Sequence, residues 1–157
     1  MKETTKTLII ASICVIVVGF LLYFAILLVQ FPQNPSDQKF LVVNVTDGDT
    51  FEISTGETIR LICVDTPEKG EAGYKAATDF LASLILDKEV ILETDTSDTD
   101  SYGRLLRYVY LNETIATDEG LGYNVTFVNK EVVRQGFGTV FRYGNDTSKC
   151  DEIGGIK

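Results

Sequence analysis

Three short stretches carry side chains that could do chemistry together: Asp47-Gly48-Asp49-Thr50, the run from Arg60 to Asp65-Thr66-Pro67-Glu68, and Asp100-Ser101-Tyr102-Gly103-Arg104. Carboxylates are hard oxygen ligands and proton acceptors, and guanidinium forks hold phosphate oxygens. Each stretch also has a plainer reading. Paired acids at a hairpin tip are ordinary turn chemistry, and Arg104 alone would be a surface residue paired with an acidic neighbour, to little effect. Arg60 stands five residues before Asp65. In a regular strand an odd spacing puts two side chains on opposite faces, so a shared pocket requires a bend or bulge between them.

Composition narrows the chemistry further. The 157 residues include no histidine, which excludes Ser-His-Asp and Cys-His nucleophile systems, an HExxH zinc helix and an imidazole base. Catalysis must then use carboxylates, arginines, tyrosines or a metal. With 23 acidic against 14 basic side chains the formal charge is −9. That counts against a broad basic surface for nucleic acid, since such binding draws its affinity from neutralised phosphates. A local pocket is still compatible with it.

These stretches need elements to position them. Lys39–Thr46, Thr50–Ser54 and Glu57–Val64 read as three strands in meander, separated by turns at Asp47-Gly48 and Thr55-Gly56. Residues 71–86 place Ala77, Phe80, Leu81, Leu84 and Ile85 on one face of an amphipathic helix. Val90–Glu93 and Leu105–Leu111 are two further strands, joined by the acidic loop Thr94–Ser101, and Lys130–Gln135 is a short helix stopped by Gly136. The expected fold class is α+β, mainly β, with five strands suited to a closed barrel.

The chain in front of this domain is different in kind. Leu8–Val29 is 22 residues without a charge, roughly 33 Å as a helix and long enough to span a hydrocarbon core of about 30 Å. It exceeds the apolar core of a signal peptide and lacks a good cleavage site. Lys2 and Lys6 precede it, so the positive-inside rule puts the N-terminus in the cytoplasm. We therefore expect residues 1–7 as a cytoplasmic tail, 8–29 as one transmembrane helix, 30–38 as a polar linker, and 39–157 as a folded extracellular domain with an insertion near 112–128. From Phe31 onward 22 acidic residues face 12 basic ones. Four of the six asparagines lie in N-x-T sequons, at Asn44, Asn112, Asn124 and Asn145, which agrees with export and glycosylation. An oxidising exterior would permit a Cys63–Cys150 bridge, but the apolar run LICV favours Cys63 as a small buried filler.

Together the stretches resemble the thermonuclease, or staphylococcal nuclease-like, family. The likeness rests on VTDGDT at 45–50, IRLICVDTPE at 59–68, DSYGR at 100–104 and NKEVVRQGFGTVF at 129–141. It implies a five-stranded OB-fold barrel with packed helices and calcium-dependent hydrolysis of DNA and/or RNA to 3′-phosphate products. By motif, Asp49, Asp65 and the backbone carbonyl of Thr66 would be ligands of Ca²⁺, with Asp47 further out. Glu68 would orient or deprotonate the attacking water. Arg60 and Arg104 would hold the phosphate and stabilise the charge that grows on it, and Tyr102 and Tyr143 would contact the nucleotide. Ser101 stands where one well-known member of the family carries a lysine, implying a weaker grip on a terminal phosphate. With 14 residues after Tyr143, the family's C-terminal helix is expected to be missing.

The leading expectation is thus a membrane-anchored extracellular nuclease acting as a monomeric domain. The alternatives are a non-catalytic OB-fold module that binds nucleic acid or protein at the membrane surface, and a Ca²⁺-binding surface protein with no nucleic-acid partner.

Overall fold

The computed structural model describes residues 16–23, 38–117 and 120–155. The chain forms two compact units, Met1–Asp37 and Gln38–Lys157. In the first, residues 16–23 are helical (α1) and expose large apolar side chains, among them Ile16, Leu21 and Leu22. Among the described residues no helix is long and apolar enough to cross a membrane. The remainder of the expected span 8–29, the tail 1–7 and most of the linker lie outside the described residues.

The second unit is built from β1 (Lys39–Val45), β2 (Thr50–Ile53), β3 (Thr58–Leu61), β4 (Val64–Asp65), α2 (Tyr74–Ile85), β5 (Glu89–Glu93), β6 (Leu105–Thr117), β7 (Gly120–Phe127), α3 (Val128–Arg134), β8 (Thr139–Val140) and α4 (Cys150–Ile153). Strands run in the order β3-β2-β1-β5-β6-β7, and a parallel β3–β6 pairing closes the first five into a mixed barrel. Closure removes the free edges that an open sheet of this length would expose. Inward residues alternate as strand geometry requires: Val42, Phe51, Ile53, Ile59, Leu61, Val90, Val109 and Leu111 form the core. Helix α2 covers it with Ala77, Leu81 and Ile85, spaced four apart. Each such large side chain stabilises the fold by roughly 1.5–3 kcal/mol on burial.

Two expectations change and a third takes a definite form. The strand expected over Glu57–Val64 breaks at Ile62-Cys63, leaving β3 and β4 as separate short strands. Most of the expected insertion near 112–128 is a hairpin: β6 continues to Thr117 and pairs with β7, in register from Tyr110↔Phe127 to Thr117↔Gly120. Phe127 stacks on Tyr110 at 4.8 Å, so the hairpin grows from the barrel wall. The cysteine reading is also corrected. Cys63 and Cys150 form a disulfide with Cα atoms 5.3 Å apart, closing an 87-residue separation, which stabilises by roughly 4.6 kcal/mol through the unfolded chain. The residues after Tyr143 contribute a four-residue helix, α4, whose Cys150 and Ile153 are buried in the core.

Candidate active site

The Asp47–Thr50 turn is held by its own backbone. Thr46 N–H donates to the Thr50 carbonyl at 2.9 Å, and Asp49 N–H donates to Asp47 Oδ1 at 3.1 Å. Gly48 is required by space: a Cβ there would lie 2.6 Å from Ala77 Cβ and 2.8 Å from Thr66 Oγ1. The close approach drives Asp49 inward, where it is 5% exposed. Its Oδ2 accepts from Thr66 N–H at 3.0 Å and Thr66 Oγ1 at 2.9 Å, while Oδ1 accepts from Thr50 Oγ1 at 3.1 Å. Burial pushes the Asp49 carboxyl up to about 6, against the pull of Arg60 and with a further push from Asp47.

Arg60 reaches this carboxylate from β3, with Nη1 3.0 Å from Asp49 Oδ1 and Nη2 3.5 Å from Asp65 Oδ1. The bend that this sharing requires is present. Cys63 takes φ 60°, a left-handed angle that costs an L-residue roughly 1–2 kcal/mol. The same guanidinium caps the bend, donating through Nη1 to the Val64 carbonyl at 2.7 Å and the Leu61 carbonyl at 3.2 Å. β4 then pairs with β8, setting Asp65 opposite Thr139, and Gly138 packs so tightly that a Cβ would lie 2.9 Å from the Asp65 carbonyl oxygen.

Arg104 is positioned by Asp100. Asp100 Oδ1 accepts from the N–H groups of Tyr102 (2.9 Å) and Arg104 (3.0 Å), and Oδ2 accepts from Arg104 Nε at 2.7 Å. Burial raises the Asp100 carboxyl, but these hydrogen bonds and the Arg104 charge outweigh it, and the net direction is down. Arg104 Nη1 also reaches Thr50 Oγ1 at 3.4 Å. Thr50 therefore touches both Asp49 and Arg104.

A cleft of about 290 Å³ opens beside these groups, its walls including Arg60, Arg104, Tyr102, Tyr143 and Phe141. Tyr102 is 84% and Tyr143 62% exposed, so the two rings stand at the rim with their faces available. The Arg104 guanidinium lies 5.4 Å from the Tyr102 ring centroid. Of the residues predicted from sequence, the two arginines and two tyrosines share the cleft. Asp49 and Asp65 meet on Arg60, and Thr66 is bound to Asp49. Glu68 is exposed at the start of the loop before α2, where its N–H donates to Glu71 Oε2 at 2.8 Å; it does not line the cleft.

For a cation, the donor set is oxygen only: two carboxylates that share one guanidinium, with the Thr66 carbonyl adjacent in sequence. Two negative charges against one positive charge, one of them buried, suit a hard divalent ion such as Ca²⁺, with water or a phosphate oxygen completing the shell. Among the described residues no group of three or more acidic, histidine or cysteine side chains is gathered for a metal, so two carboxylates are the most this site offers.

Sequence reasoning missed three residues that hold the site. Buried Asn129 accepts from Val109 N–H at 2.9 Å and donates to the Ile62 carbonyl at 2.9 Å and the Arg107 carbonyl at 3.2 Å. Arg107 is buried on Asp98, with 2.6 Å from Nη2 to Oδ1. Phe141, a cleft wall, ends the 129–141 stretch that carried the resemblance, but no role was read for it there.

Residues 58–154 match the family described as staphylococcal nuclease homologue. A thermonuclease of Staphylococcus hyicus is 32% identical over 130 residues, 76% of this chain and 77% of that protein. A thermonuclease of Staphylococcus intermedius is 31% identical over 149 residues, 87% of this chain and 83% of that protein. Protein ParB of Escherichia coli is 33% identical over 105 residues, 65% of this chain, and the match spans little more than half of that protein, 56%. The chain belongs to the staphylococcal nuclease homologue family, a family of hydrolytic nucleases.

Proposed function

We propose that this chain is a Ca²⁺-dependent nuclease, anchored in a membrane by residues 8–29 with its domain outside the cell, which hydrolyses phosphodiester bonds of DNA and/or RNA to 3′-phosphate products. The observation that carries the proposal is the pairing of two guanidinium groups on one cleft, each oriented by a carboxylate: Arg60 by Asp49 and Asp65, and Arg104 by Asp100. Guanidinium groups fixed before the substrate arrives lose little reorganisation energy when charge grows on a phosphate.

Asp49, Asp65 and the Thr66 carbonyl would hold Ca²⁺, which when bound would draw charge from a phosphate oxygen and favour ionisation of a nearby water. Arg60 and Arg104 bind the non-bridging oxygens, with Arg104 towards the departing 5′ oxygen. Glu68, free to swing because it is exposed, accepts the proton of the attacking water, a task left to a carboxylate in a chain without histidine. Tyr102 and Tyr143 offer faces on which a base can stack. The disulfide favours an oxidising compartment and so supports the outside location. The uncharged run 8–29 supports the anchor. Exposed Asn44, Asn124 and Asn145 are the sequons open to glycosylation.

The test is cleavage of single-stranded DNA and RNA by the full chain in detergent, with Ca²⁺ and with chelator, for wild type and Glu68→Gln. Loss of cleavage on chelation and in the variant is expected. Cleavage indifferent to both would overturn the proposal.

A further inference from the structure

Arg60 and Arg104 come from segments 44 positions apart in sequence, so their spacing across the cleft depends on what ties those segments together. Arg60 is set by the Ile62-Cys63 bend. Ile62 N–H donates to the Arg107 carbonyl at 3.0 Å, Asn129 Nδ2 donates to the Ile62 carbonyl, and Phe141 N–H donates to the Cys63 carbonyl at 3.2 Å. The Cys63 side chain leaves the bend towards Cys150. Cys150 is no loose end, because the strap that leads to it is bound to the loop that carries Arg104. Thr96 Oγ1 donates to the Asn145 carbonyl at 3.3 Å, Ser97 N–H to Asp146 Oδ1 at 2.7 Å, and Ser148 N–H to Asp95 Oδ2 at 3.0 Å. Lys149 N–H donates to Tyr108 Oη at 3.2 Å, and Tyr108 Oη donates in turn to Asp95 Oδ2 at 2.8 Å. The strap is therefore joined to the bend by a covalent bond and to the acidic loop by hydrogen bonds, and Cys63 and Asp146 both line the cleft.

We propose that the Cys63–Cys150 crosslink is a positioning device for the reaction. It holds Cys63 in its left-handed conformation and, through the 145–150 strap, registers Arg60 against Arg104 across the substrate cleft. Both cysteines are buried, Cys150 fully and Cys63 to 5% exposure, so the bond acts as a permanent tether shielded from large reductants. The inference rests on the nuclease reading for its kinetic consequence, but its structural content stands on the arginines alone.

The experiment compares wild type, Cys63→Ala/Cys150→Ala and Cys63→Gly/Cys150→Ala as full chains in detergent, each shown by circular dichroism to be folded. In the alanine pair kcat is expected to fall about tenfold with KM changed less than about twofold, as misplacement of catalytic groups by less than 1 Å would produce. Glycine accepts the left-handed angle without penalty, so the glycine variant recovers part of kcat while its melting temperature stays low. A role limited to stability would instead lower the melting temperature and leave kcat unchanged. Independently of activity, the Nε–Hε NMR resonances of Arg60 and Arg104 in metal-free protein are expected to shift in the alanine pair. Cys150→Ala alone, which removes only the tether, provides the same comparison if the pair does not fold. Unchanged kcat together with unchanged resonances overturns the proposal. A wild-type chain that cleaves nothing with any divalent ion refutes the nuclease reading, and the resonances then decide the positioning claim alone.

Discussion

Arg60 Nη1 stands 3.0 Å from Asp49 Oδ1, and both side chains are largely withdrawn from water. A buried carboxylate thus stands behind the guanidinium that lines the cleft, and the cleft's other arginine, Arg104, is held by Asp100. The pair is a structural element as well as a candidate catalytic one, and the two roles can be separated by measurement.

Removal of the guanidinium should cost both. Arg60→Ala leaves Asp49 buried with only Thr50 and Thr66 as partners and uncaps the Leu61 and Val64 carbonyls. We expect a loss of about 2–3 kcal/mol in urea unfolding at neutral pH and a fall in kcat of about 10²–10³. An Arg60→Ala chain that keeps wild-type turnover would remove Arg60 from the mechanism.

Asp49 should make metal-free stability depend on pH in an unusual direction. Its carboxyl is raised from 3.8 to about 6 in the folded state, so the unfolded chain releases this proton first. The contribution is complete below about pH 3.8 and is lost as pH rises through about 6. Relative to Asp49→Asn, wild type should lose about 3 kcal/mol over that window. Parallel stability curves for the two proteins in chelator would refute the assignment.

Asp100 has the opposite sign. Its carboxyl is lowered, because hydrogen bonds from Arg104 and the Tyr102 and Arg104 N–H groups outweigh its burial. Its stabilisation is present at neutral pH and is lost as pH falls through the folded-state value. Asp100→Asn should cost about 1–2 kcal/mol and lower kcat about tenfold by releasing Arg104. Calorimetric melts at neutral and acidic pH, paired with turnover, test both.

Asn129 supports the site without touching the cleft. Its amide satisfies Val109 N–H and the carbonyls of Ile62 and Arg107, all in the interior. Asn129→Leu, similar in size, takes this partner from Val109 N–H and the Ile62 carbonyl, while the Arg107 carbonyl keeps Ile62 N–H, and should destabilise by about 2–3 kcal/mol. A variant that melts within about 2 °C of wild type would show that water replaces the amide.

Local signals in the sequence determined most of the elements. Turn residues at Asp47-Gly48 and Thr55-Gly56 marked the first hairpins, the spacing of Ala77, Leu81 and Ile85 marked α2, and missing histidine restricted the chemistry to carboxylates and arginines. The motifs carried by these elements were enough to reach the family. Long-range pairing was beyond the sequence. That β3 joins β6 in parallel to close the barrel, that the far end of β6 and β7 extend the sheet, and that Asn129 ties β6 to the Ile62-Cys63 bend depend on partners far apart in the chain.

The Arg60–Asp65 spacing shows the division most clearly. By itself the sequence established that these two residues, five apart, could share a pocket only across a bend, because side chains alternate along a strand. Tertiary structure decided where the bend falls and what holds it. A cysteine in a left-handed conformation is tolerated at position 63 because Arg107, Asn129, Phe141 and Cys150, all distant in the chain, fix the bend from four sides. A local strain of that kind is not legible in sequence, since the contacts that outweigh it form only when the chain is folded.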